Sequence, residues 1–384
     1  MFFMNDSPIC ERLAAELEER KKGNLLRSPG VSGYGVRIDL STNSYLALHE
    51  DQNVAAEARD LTDNCFSGNL ASRLIETRSP LYQTLESELA GWKKTEAALV
   101  FNSGYDANLG IIQSLCTRDT EVFCDKLNHA SVIDGIRLSG ASLMRYAHCD
   151  MDDLRKRLGA SKKKEKLIVT DSVFSMDGDI APLADICALA KQYSCMVMVD
   201  EAHAAGVFGE TLGGYAEECG VEKDVDVVMG TLSKAVAGHG GFFAGSILLR
   251  DCFINKARSL IYSTALPQSV LAHDLAAVRY IRSHPEMGKK LQEKARVFRV
   301  GIKALGFNTL NSATQIVPCI VKSNSEALEL SVFLMQRGIK APAIRPPTVP
   351  AGTSRIRFSI HLGCSTDDLA FVVDQLKEWK KSHG

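Results

Sequence analysis

Met196-Val197-Met198-Val199-Asp200-Glu201-Ala202-His203 decides the fold of this chain. Four apolar residues closing on an aspartate read as a strand kept dry on both faces, and a carboxylate delivered there costs free energy unless it is paired. Just ahead, residues 183–193 have helical spacing and are entered through Pro182, a residue suited to a first helical turn. A helix feeding a buried strand is the repeating unit of a parallel sheet with crossover connections.

The same alternation runs outward in both directions. Strands are predicted at 97–101, 121–125, 167–171, 226–229 and 242–249, with helices at 82–94 and 108–115 between them. Ser161-Lys162-Lys163-Lys164-Glu165-Lys166 interrupts this rhythm and reads as a solvated loop before a strand. Beyond about His284 the order becomes a long charged helix (287–305), a strand (315–321), a helix (326–337), a strand (355–360) and a last helix. The expected architecture is α/β: an N-terminal arm (1–45), a large domain with a mostly parallel sheet flanked by helices (46–277), and a smaller α+β C-terminal domain (278–384).

Bulk properties narrow the function. Hydrophobic residues make up 45% of the chain and charged residues 24%, which is ordinary for a folded protein and opposes a membrane span. With 45 basic and 46 acidic side chains the formal charge is -1, so the electrostatic footprint of a nucleic-acid or anionic-membrane binder is missing and small-molecule partners are expected. The 11 cysteines are scattered, without a Cys-x-x-Cys pair, and read as reduced thiols; with Met1-Phe2-Phe3-Met4 too short for a signal sequence, a cytoplasmic location is expected.

In parallel sheets the informative residues follow the carboxyl ends of strands. Asp200-Glu201-Ala202-His203 also spells a helicase box, but no phosphate loop of the form Gly-x-x-x-x-Gly-Lys-Ser/Thr exists to support it. Zinc is opposed because Glu201 and His203 lack a second clustered ligand pair. A second strand end reads Gly230-Thr231-Leu232-Ser233-Lys234 and then Ala235-Val236-Ala237-Gly238-His239-Gly240-Gly241. Pairing Lys234 with Asp200 points to pyridoxal phosphate, which needs an amine for its Schiff base and a carboxylate that keeps the pyridine nitrogen protonated. A third end, Asn102-Ser103-Gly104-Tyr105, opens a helix whose first amides suit a phosphate. His129 and Ser175 follow two further strands; taken singly, each is as readily a structural residue.

Ser172-Val173-Phe174-Ser175-Met176-Asp177-Gly178-Asp179, Val199-Asp200-Glu201-Ala202-His203, Gly230-Thr231-Leu232-Ser233-Lys234 and Ile261-Tyr262-Ser263-Thr264-Ala265-Leu266-Pro267 together resemble the α-oxoamine synthases, a family of fold type I pyridoxal-phosphate transferases. The resemblance runs from about Asp39 to the C-terminus. It implies that Lys234 carries the cofactor, Asp200 pairs its ring nitrogen, His203 and Ser175 lie by its phenolic oxygen, and His129 stacks on it. Ser103, Gly104, Tyr105 and Thr231 would hold the cofactor or its phosphate, with Thr264 reaching that phosphate from the second subunit of a homodimer, and Asn43 and Arg355 would bind the amino acid. Ala343-Ile344-Arg345-Pro346-Pro347-Thr348-Val349-Pro350 is similar to the biotin-pathway branch. That branch implies condensation of L-alanine with a pimeloyl thioester, on coenzyme A or acyl carrier protein. The alternatives are a sister synthase joining glycine to acetyl-CoA, and a cofactor-binding protein without catalysis. Thr77 and Tyr82 stand where the family commonly has glycine and histidine, so a different acyl pocket is expected.

Overall fold

Strands that are apolar on both faces must be covered on both faces, and seven of them meet that demand in one sheet. The computed structural model describes residues 7–27, 35–62, 68–75 and 80–383. The strands are β1 (Ala97–Phe101), β2 (Thr120–Asp125), β3 (Ser142–Tyr146), β4 (Glu165–Asp171), β5 (Met196–Asp200), β6 (Val227–Thr231) and β7 (Gly241–Gly245). They lie in the order β1-β7-β6-β5-β4-β2-β3, parallel throughout except for β7, which runs antiparallel to both neighbours. β1, β6 and β7 are buried along their whole length. Helices α1 (Leu81–Lys93), α2 (Gly104–Leu115), α3 (Ala130–Ser139) and α4 (Leu183–Tyr193) help to cover the sheet.

A smaller lobe follows. Its antiparallel sheet places β8 (Ile316–Lys322) beside β10 (Ser354–Ser359), with β9 (Ala343–Ile344) on the other side of β10. α5 (Glu286–Ala304), α6 (Asn324–Met335) and α7 (Thr366–His383) complete it. Within the stretch expected as an arm, Ile38–Asp39 pairs in parallel with Ile339–Lys340, so this segment is stitched to the small lobe. No helix among the described residues is long and apolar enough to cross a membrane, and the described cysteines are free.

Two expectations need correcting. The strand predicted to run from Phe242 to Leu249 stops at Gly245, because the Ser246 hydroxyl caps a helix, Ile247–Lys256, by accepting from the Leu249 amide. β3 was not anticipated: it is a partly exposed edge strand containing Arg145, so it lacks the continuous apolar run of its neighbours.

The topology brings the polar carboxyl ends of the strands to one edge, with Asp171 in register with Asp200 and Asp200 with Met229. The turn after β4 is fastened to that edge by His148. Its Nδ1 donates to Asp125 (2.9 Å) and its Nε2 to Asp179 (2.6 Å), and the ring packs edge-on against Phe174. Burial disfavours the imidazolium, but the hydrogen bonds to Asp125 and Asp179 win and push its pKa up to about 12. Stability from this group is therefore fully present below the unfolded value near 6.5 and is lost as pH rises through about 12. His148→Ala leaves two carboxylates facing one another. The variant should lose stability at the low end of ~3–5 kcal/mol at pH 7, since the ring is partly exposed; urea unfolding within experimental error of the wild type would contradict the strap.

Candidate active site

The helix start at Ser103 sits unusually close to the sheet. Ser103 caps α2 by accepting from the Asp106 amide (3.0 Å), and the first turn of a helix leaves its other amides without intrahelical partners. Gly241 of β7 permits the approach: a Cβ there would fall 2.5 Å from the Ser103 carbonyl oxygen and 2.7 Å from the Gly104 nitrogen. On the neighbouring strand Thr231 donates to the Gly240 carbonyl (2.8 Å) and turns its hydroxyl toward Ser233 (2.8 Å).

These groups form one wall of a cleft of about 230 Å³, which also contains Tyr105, His129, Ser175, Asp200, His203 and Lys234. Asp200 is buried, and its two oxygens accept from Asn108 Nδ2 (2.8 Å) and the Ala202 amide (2.9 Å). Lys234 Nζ lies 3.0 Å from His203 Nε2. Burial lowers the lysine pKa to about 8; Asp200 opposes the shift and the Arg357 guanidinium adds to it. His203 is held neutral by burial and by the positive charges of Lys234 and Arg357. Burial likewise lowers His129, against the pull of Asp200. Asp171 is pushed well up by burial and by the adjacent Asp200.

Nine of the predicted residues thus line a single cleft: Ser103, Gly104, Tyr105, His129, Ser175, Asp200, His203, Thr231 and Lys234. Three do not. Asn43 lies outside the cleft, accepting from Arg357 Nη1 at 3.2 Å, with the Tyr45 hydroxyl oxygen at the same distance from its Oδ1. Thr264 is exposed and bridges to Ser72. Arg355 is buried and committed to Asp177, the Met176 carbonyl and Thr353. Arg357, two residues on, joins the Ser175 carbonyl (Nε, 2.6 Å) to Asn43. The two arginines share a strand face, so alternation alone could not choose between them. Asn108 was also missed as a partner of Asp200, although it lies one helical turn after Gly104, a spacing that puts both on one side of α2. Of the two departures from the family pattern, Thr77 lies outside the described residues, while Tyr82 is buried beneath Arg73 and accepts from the Leu266 amide (2.7 Å).

Residues 36–376 match the aminotransferase class I and II family. The chain belongs to that family. A relative from Geobacillus kaustophilus is 46% identical over 367 residues, covering 94% of each chain. The 8-amino-7-oxononanoate synthase of Geobacter sulfurreducens is 42% identical over 390 residues, covering 98% of this chain and all of its own. Among solved structures, a Sphingomonas wittichii serine palmitoyltransferase superposes with a TM-score of 0.91 at 30% identity over 99% of both chains. An 8-amino-7-oxononanoate synthase from Francisella tularensis gives 0.78 at 26% identity, covering 90% of this chain and 98% of that one. The expected fold stands, and the chain is a pyridoxal-phosphate-dependent acyltransferase of the α-oxoamine synthase kind.

With its pKa near 8, Lys234 has roughly a tenth of its amine free at pH 7, against far less for a solvated lysine. In cofactor-stripped protein, labelling of Lys234 by a small amine-reactive reagent, followed by peptide mass spectrometry, should rise tenfold per pH unit up to about 8 and then level off. A rise continuing to pH 10 would show an ordinary lysine.

Proposed function

We propose that the enzyme condenses L-alanine with a pimeloyl thioester, giving 8-amino-7-oxononanoate, carbon dioxide and the free thiol carrier, with Lys234 as the cofactor-bearing residue. The observation that carries this reading is the convergence of Lys234, Asp200, His203 and His129 with a helix start in one cleft. The relatives named 8-amino-7-oxononanoate synthase support the choice of substrates.

The residues fit pyridoxal phosphate. The approach that Gly241 permits puts the amides after Ser103, and the Thr231 hydroxyl, where a phosphate can be held. Asp200 supplies the anion for a protonated pyridine nitrogen, His129 covers the ring, and His203 with Ser175 serves its phenolic oxygen. When bound, the group supplies an electron-accepting ring that stabilises negative charge at the substrate α-carbon. Arg357 receives the alanine carboxylate, because its guanidinium is bonded to Asn43 and to the carbonyl of the cleft residue Ser175, whereas Arg355 is occupied in fixing the turn. With its amine free, Lys234 Nζ would take the α-proton, a task suited to a base of pKa near 8. The carbon so freed attacks the thioester carbonyl and the thiolate leaves; the carboxylate on Arg357 then departs as carbon dioxide, leaving its electron pair at the α-carbon, which recovers the proton held on Lys234 Nζ, while a solvent proton converts the thiolate to the free thiol.

A second cleft of about 650 Å³ shares His129 and Ser175 with the first and is edged by Arg27, Lys126, Arg137 and Arg145, with Asp134 as its acid. Its volume and positive charge favour an anionic acyl thioester. The apolar side chains of Leu70, Ile75 and Tyr262 are exposed near Thr264, which favours a homodimer in which Thr264 reaches the phosphate of the other copy.

Purified enzyme given alanine and pimeloyl-CoA should release carbon dioxide and the amino ketone; product from glycine and acetyl-CoA but none from that pair would overturn the substrate assignment. Lys234→Ala should abolish the near-visible absorbance of the bound cofactor. Arg357→Lys keeps the charge but loses the planar fork, so KM for alanine should rise roughly 10–100-fold, while Arg355→Lys should act mainly on melting temperature. The reverse pattern would return the carboxylate to Arg355.

A further inference from the structure

Tyr45 was not singled out as a site residue, yet its ring is fully buried and its hydroxyl lies 2.6 Å from His203 Nδ1, on the far side of the imidazole from Lys234. We propose that Tyr45 is a positioning residue that fixes the proton of neutral His203 on Nε2, the nitrogen facing Lys234 and the cleft. This rests on the reading of the cleft given above and extends it to the hydrogen-bond polarity of the histidine.

The argument is one of donor and acceptor capacity. A tyrosine hydroxyl has one proton to give. Two acceptors lie within reach, His203 Nδ1 at 2.6 Å and Asn43 Oδ1 at 3.2 Å. The Asn43 oxygen has two lone pairs, and two other donors compete for them. Arg357 Nη1 lies 3.2 Å away and can only donate; Ser359 Oγ lies 3.4 Å away and already accepts from Arg357 Nη1 at 2.6 Å, which leaves its own proton free. The amide oxygen is therefore filled, and the shorter contact takes the tyrosine proton. Burial raises the Tyr45 pKa, so the group remains a hydroxyl and keeps a proton to give.

With Nδ1 accepting, a neutral imidazole must carry its hydrogen on Nε2. The ring is buried with both nitrogens engaged, so a flip would break the contacts to Tyr45 and Lys234 together. The His203 carbonyl is held by Gln315 Nε2 (2.8 Å), and the Tyr45 backbone is tied to Leu362 through an amide donated to its carbonyl (2.9 Å). The cleft thus receives a fixed neutral donor, suited to the lone pair of the free Lys234 amine or to a phenolic oxygen placed there.

Nitrogen-15 spectra of histidine-labelled holoenzyme, with His203→Gln used to assign the signals, test this directly. The expected result is a protonated Nε2 and a hydrogen-bonded, unprotonated Nδ1, in the holoenzyme and, without cofactor, above pH 8, where the Lys234 amine is mostly free. In Tyr45→Phe the Nδ1 signal should move to that of a nitrogen without a donor. Its kcat should fall roughly tenfold, the worth of one such bond, with KM for alanine within twofold because Arg357 is untouched. A wild-type ring protonated on Nδ1, or a Tyr45→Phe signal identical to wild type, overturns the proposal. The wild-type spectrum decides even if the variant does not fold. An enzyme that fails to take up pyridoxal phosphate but shows the Nε2 tautomer would instead count against the proposed function alone.

Discussion

A carboxylate buried at the end of a dry strand has to be paired, and the whole site follows from how Asp200 meets that requirement. It cannot be solvated, being among the buried residues at the sheet edge. Asn108 and the Ala202 amide supply two donors, and the Lys234 ammonium lies close enough to feel its charge. Asp171, its register partner, yields by keeping its proton, since two adjacent carboxylates in a poorly solvated place cannot both ionise cheaply. A carboxyl that holds its proton and a readily deprotonated amine thus arise beside Asp200 from burial and spacing together.

The sheet topology determines which groups can take part. β5 sits between β4 and β6, so Asp200 is flanked by Asp171 and Met229, and the loop after β6 returns Lys234 over the same edge. β7 runs the other way, which allows Gly241 to lie against the start of α2 and bring its amides to the opposite side of the cleft. The small lobe supplies Arg357, whose strand faces the turn carrying Ser175, and that turn is held from behind by His148. Each contribution comes from a different crossover, which is why residues far apart in the chain meet within about 230 Å³.

Much of this was legible in the sequence, for definite reasons. The interior strands declare themselves through continuous apolar runs, and their ends carry Asp200, Asp171 and Thr231 where a parallel sheet must place ligand-binding groups. β3 was hidden because an edge strand has one wet side, and the end of β7 because the apolar run Ile247-Leu248-Leu249 continues into a helix once Ser246 caps it. Within the site, nine residues that touch the cleft were found, while Asn108, which also lines it, and Tyr45 and Arg357, one bond behind it, were not. Tyr45, Asn108 and Arg357 act through contacts that only the assembled fold creates, and the choice of Arg357 over Arg355 depends on which of two like residues Asp177 occupies.

That occupancy has a further consequence under the proposed function. Arg355 is neutralised by Asp177, whereas the charge of Arg357 meets only carbonyl, amide and hydroxyl oxygens among its hydrogen bonds. Its field therefore reaches Lys234, His203 and Tyr45, favouring the free amine of the first and the neutral ring of the second. An α-carboxylate docked on Arg357 cancels that field at the moment Lys234 has to hold a proton taken from the substrate. The arrangement makes the lysine easy to deprotonate before the amino acid arrives and more basic after it has bound, and a guanidinium already paired with an aspartate, as Arg355 is, could not do both.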